Sequence, residues 1–69
     1  MNEETTRVKI GQQLRALRQE RGLSTRQLAE ITGVIHSHIV RIEGGRYNVG
    51  VDTVEKLANA LGAKLTIQV

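Results

Sequence analysis

Leu23–Glu43, LSTRQLAEITGVIHSHIVRIE, decides the reading of this 69-residue chain. Ser24 precedes Gln27 by three residues, the spacing of a capping box, in which each side chain satisfies a free amide at a helix start. Leu28 and Ala29 then face inward, and Gly33 supplies the tight turn after this helix. A further helix spans roughly His36 to Glu43, with Ile39 and Ile42 on its inner side and Gly44-Gly45 ending it. What it turns outward is polar: His36, Ser37 and Arg41. Two short helices about a tight turn, the second with a polar outer face, suit a protein that lays one helix in the DNA major groove.

Upstream, Ile10, Leu14 and Leu17 recur at i, i+4 and i+7, which predicts an amphipathic helix from about Arg7 to Arg21. Gly22 followed by Leu23 reads as its left-handed stop with a hydrophobic contact behind it. Gly11 inside that helix costs up to about 1 kcal/mol relative to alanine, so close helix packing is expected there. Residues 1–6 have little to bury and read as a flexible N-terminal arm. Downstream, Arg46 to Gly50 form a loop, and Val54, Leu57, Ala58 and Leu61 define a fourth helix that starts near Val51 and stops at Gly62.

The last residues break the helical pattern. Leu65, Ile67 and Val69 alternate with Lys64, Thr66 and Gln68, a period-two strand signal. A lone strand in a helical domain leaves backbone groups and an apolar face without partners. Two such tails pairing antiparallel across a two-fold axis would satisfy both. The chain therefore divides into the arm (1–6), a helical domain (7–62) and a dimerisation strand (63–69) that pairs through Leu65, Thr66, Ile67, Gln68 and Val69.

Composition narrows the classes. Sixty-nine residues build one small domain, near the lower limit for a core that folds unaided, so a second, ligand-sensing domain is not expected. Cysteine is absent, so disulfides and thiolate metal sites are excluded. His36 and His38, two apart on a helix, point to nearly opposite sides and make no metal site; no cofactor is expected. Tyr47 is the sole aromatic residue, which argues against a base-stacking platform for single-stranded nucleic acid. A net charge of +3 and a pI near 10.0 are compatible with a polyanionic partner. No apolar run reaches transmembrane length and the polar start is no signal peptide, so the expectation is a cytoplasmic protein with no membrane partner.

Taken in order and spacing, IGQQLRALRQERGLS, LAEITGV, IVRIEGGR and DTVEKLANALG resemble the phage repressor and Cro type of helix-turn-helix protein, the xenobiotic-response-element family. The resemblance runs from about Ile10 to Leu61. It implies an all-α, lambda-repressor-like bundle of four to five helices whose third helix enters the major groove. It also implies that Arg18 and Glu43 form a partly buried ion pair joining the first and third helices. Thr25 departs from the family's commoner glutamine, Ile35 from its usual capping Ser or Thr, and Val49-Gly50 from a frequent Pro-Ser.

Helical geometry and the resemblance agree on the base contacts: His36, Ser37 and Arg41. Arg41 can fork onto the O6 and N7 of a guanine; its alternative is a solvated or phosphate-binding arginine. His36 and Ser37 are read either as base contacts or as solvated bystanders. Phosphate contacts fall to Ser24, Thr25 and Arg26 at the start of the second helix, where free amides and the dipole favour an anion. The remaining phosphate contacts are His38 on the flank of the third helix, and Arg46, Tyr47 and Asn48 after it, with Tyr47 equally suited to packing. The function that follows is a dimeric transcriptional repressor of double-stranded DNA, reading a palindrome. The alternative is an antitoxin-type module that binds a toxin partner and regulates its own operon, since the short terminal strand is similar to tails in antitoxins of this superfamily. No constellation of carboxylates, histidines or hydroxyls suggests an enzyme.

Overall fold

The computed structural model describes residues 3–46 and 50–64. Four helices follow one another: α1 (Glu3–Glu20), α2 (Thr25–Thr32), α3 (His36–Glu43) and α4 (Val51–Ala60), with no strand among the described residues. The boundaries of α2, α3 and α4 are the expected ones. That of α1 is not, because it begins at Glu3 rather than near Arg7, so Glu3–Thr6 belong to a helix and not to an arm. The physical reason is modest but sufficient: once the amphipathic part of α1 is formed, the helix extends through the preceding residues at low cost. The expected strand residues Leu65, Thr66, Ile67, Gln68 and Val69 lie outside the described residues.

Local chemistry sets the helix ends. At the start of α2, the Ser24 hydroxyl accepts from the Gln27 amide at 3.0 Å, and Gln27 Oε1 accepts from the Ser24 amide at 2.8 Å. Past α1, Gly22 donates to the Gln19 carbonyl and Leu23 to that of Arg18, the paired bonds of a Schellman stop. The same pair closes α3, from Gly45 to Ile42 and Arg46 to Arg41, and α4, from Gly62 to Asn59 and Ala63 to Ala58.

The apolar positions of all four helices converge on a core of Leu14, Leu28, Ile39, Ile42, Leu57, Ala58 and Leu61, with Ile39 wholly buried. Helix α3 packs on α1 and α2, while α2 also packs on α4. Where α1 meets α3, Gly11 is required by space. A Cβ there would run into the carbonyl oxygen of Ile42 and come within 2.8 Å of that of Glu43. The suspected close packing is real, and its partner is the last turn of α3.

One ion pair joins the same two helices. Arg18 donates from Nε and Nη2 to the two Glu43 carboxylate oxygens at 2.7 and 2.9 Å, and from Nη1 to the Leu23 carbonyl at 2.8 Å. The side chains are only 11% and 9% exposed. The hydrogen bond to Glu43 raises the Arg18 pKa above the ordinary arginine value, against the opposing pull of burial. Arg18 thereby holds the C-terminal end of α1 to α3, and through Leu23 to the entry of α2.

Candidate nucleic-acid interface

The turn between α2 and α3 is built as tightly as its ends. Gly33 takes φ +76, a left-handed conformation that side-chain-bearing residues rarely adopt, and its amide bonds the Ala29 carbonyl at 2.8 Å. Thr32 is the buried polar residue of the domain's described part, and it serves this turn. Its hydroxyl donates to the Leu28 carbonyl at 2.8 Å and accepts from the Val34 amide at 3.2 Å. Sequence reasoning did not single out Thr32. The signal available was a threonine one residue before the turn glycine, where a hydroxyl can serve both sides of the turn.

This turn sets the starts of α2 and α3 beside each other. Thr25 Oγ1 and His36 Nε2 lie 2.8 Å apart, bridging the first residues of the two helices. His36 is consequently half-buried rather than standing free at an exposed end. With Nε2 engaged by Thr25, Nδ1 is the ring nitrogen left for a further partner. Thr25 is half-buried as well, so a side chain expected only to touch phosphate also orients a residue expected to touch a base.

Ser37 and Arg41, one turn apart, are exposed on α3, opposite the buried Ile39 and Ile42. Ser24 and Arg26 are exposed at the start of α2, His38 is half-buried on α3, and Arg46 is exposed just beyond it. Tyr47 and Asn48 lie outside the described residues. With the Gln27 amide taken by the Ser24 hydroxyl, the Thr25 and Arg26 amides have no acceptor within the helix and remain as donors for an anion. From Ile31 to Ile42 the chain carries no carboxylate, and Glu43 is spent on Arg18. Chemically the described residues of this surface offer hydrogen-bond donors and arginines on and beside α3.

Residues 9–66 match the helix-turn-helix domain family. The chain is 40% identical over 57 residues to an immunity repressor protein of Bacillus phage phi105, and 52% identical over 53 residues to the HTH-type transcriptional repressor RghR of Bacillus subtilis. Those matches take in 83% and 75% of this chain but 40% and 39% of the relatives, so it spans about two fifths of their length. Among solved structures it is similar to the restriction-modification controller protein C.AhdI from Aeromonas hydrophila. The TM-score there is 0.81 at 40% identity, with 87% of this chain and 91% of that one covered. A second similar structure is the clp gene regulator ClgR from Corynebacterium glutamicum, with a TM-score of 0.79 at 33% identity over 84% of this chain and 62% of that one. By the matched residues, the likeness to repressors and regulators, and the turn built around Thr32 and Gly33, the chain belongs to the helix-turn-helix domain family of transcriptional regulators.

Proposed function

We propose that this protein is a cytoplasmic, sequence-specific regulator of double-stranded DNA, acting as a dimeric repressor with α3 in the major groove. The observation that carries it is the Thr25–His36 bridge, which joins the starts of α2 and α3 beside exposed Arg26, Ser37 and Arg41. His36, Ser37 and Arg41 read base edges. Ser24, Thr25, Arg26, His38 and Arg46, with Tyr47 and Asn48, grip phosphates. The protein is not an enzyme, and no covalent step is involved: binding occludes a promoter. Among the described residues no helix is long and apolar enough to cross a membrane.

Dimerisation falls to residues 65–69, as two tails paired antiparallel. An apolar groove of about 130 Å³, lined by residues including Ile10, Leu14, Leu17, Val54, Ala58 and Lys64, supports this reading, because the apolar side of a paired tail would find a similar surface there. Two recognition helices on such a dimer would read half-sites about 34–36 Å apart.

Selection of bound duplexes from a random pool, at stated salt, tests this reading. A palindromic consensus with half-sites one helical turn apart is the expected result. Salt-sensitive binding without sequence preference would refute it and turn the search to a protein partner such as a toxin.

A further inference from the structure

Ile35 occupies the N-cap of α3 in an ordinary extended conformation, φ −59 and ψ 132, and makes no capping bond. Its carbonyl accepts from the His38 and Ile39 amides at 2.9 and 3.2 Å, but its side chain contributes nothing to the helix start. Nor is the side chain packed, because it is 60% exposed. The core beside it is already filled by Ile39 and by half-buried Val34. A hydroxyl here would satisfy an amide, so an exposed aliphatic group is a cost to the folded chain without a return inside it.

Its place gives it a use. Ile35 immediately precedes His36, whose ring is fixed by Thr25, and lies two residues before exposed Ser37. It therefore stands at the leading end of α3, the end of a recognition helix that reaches base edges. On the same two helices Arg26, Ser37 and Arg41 are exposed, together with apolar Ile31 and Val40, and from Ile31 to Ile42 there is no carboxylate. Exposed arginines in a stretch without carboxylates suit a polyanionic partner. On the major-groove edges of DNA nearly every feature is a donor or an acceptor, and the apolar one is the C5-methyl group of thymine. Pressed against a donor or acceptor instead, Ile35 would strip its water and return no hydrogen bond.

We infer that Ile35 is a specificity-determining residue that reads the 5-methyl group of a thymine next to the base pair met by His36 and Ser37. This rests on the proposed role of α3 as the recognition helix. Ile35 thus exchanges a helix cap for a base preference.

The test uses the full chain and the operator obtained by selection. Each thymine is replaced in turn by deoxyuridine, which removes the methyl group and keeps base pairing. The wild-type protein should bind about fourfold more weakly per half-site at one thymine position, the worth of one methyl-sized group taken from water. Ile35→Ala and Ile35→Ser should bind the two operators equally. The inference is overturned if no uracil position weakens the wild type, or if the penalty persists unchanged in Ile35→Ala. It is also overturned if Ile35→Ser alters the sedimentation mass, which would assign the side chain to a protein contact. Failure to select any consensus would refute the DNA-reading role and this inference together. A consensus without an Ile35-dependent penalty would refute this inference alone.

Discussion

Replacing Gly11 with alanine sets two physical effects against each other. On helix propensity alone the change should stabilise α1 by about 1 kcal/mol. The tertiary structure reverses the sign. The new methyl group would collide with the Ile42 carbonyl oxygen and stand 2.8 Å from that of Glu43. Neither atom belongs to a side chain that can rotate away. The Ile42 carbonyl also accepts the Gly45 amide that closes α3, at 3.1 Å, so displacing it disturbs the helix end. Separating α1 from α3 instead would pull on the Arg18–Glu43 pair. Overpacking typically costs about 1–3 kcal/mol, and a clash against backbone belongs at or above the upper end. After the propensity gain, a net loss of about 2 kcal/mol remains. For a domain of this size that loss lowers the melting temperature by about 8–16 °C. Thermal unfolding followed by far-UV circular dichroism reads it directly, with exposed Gln12→Ala in the same helix as a control that shifts little. A melting temperature equal to or above that of the wild type would refute the contact between α1 and α3 on which the argument stands.

Three further outcomes are expected. Arg18→Ala strands a carboxylate that is 9% exposed and should cost about 3–5 kcal/mol; an unchanged melting temperature would show that the pair is not structural. Ile35→Ser supplies the missing cap and should raise stability by about 0.5–2 kcal/mol, measured by denaturant titration, whereas a loss would refute the reading of Ile35 as an uncapped, unpacked helix start. Arg41→Ala should cost about 1–3 kcal/mol and relax preference at one base pair, while Arg26→Ala weakens all sequences alike and reduces the salt slope by about 1. Binding isotherms on operator and scrambled duplexes at several salt concentrations separate the two, and equal sequence-blind losses from both variants would remove Arg41 from base reading.

Much of the fold was legible because helix boundaries here are written in local chemistry. Ser24 and Gln27 cap each other within one turn, and the glycines at 22, 33, 45 and 62 permit left-handed closures that depend on neighbours a few bonds away. The spacing of Ile39 and Ile42 likewise fixes which side of α3 is inward, and therefore that Ser37 and Arg41 are outward. The start of α1 was less legible, since residues 3–6 have no apolar periodicity and only weak preferences to mark an end.

The sequence by itself determined the four helices, their inner faces, the turn and the polar residues that the third helix presents. Only the tertiary structure decided which of these residues act together. It gave Thr25 to His36, placed Thr32 across the turn, turned Gly11 from a weak helix residue into a contact between helices, and left the Ile35 side chain exposed. The reason is range. Capping, propensity and periodicity are settled within a few residues along the chain. Contacts such as Thr25–His36 and Gly11–Ile42 exist only once the core has fixed the crossing of helices distant in sequence.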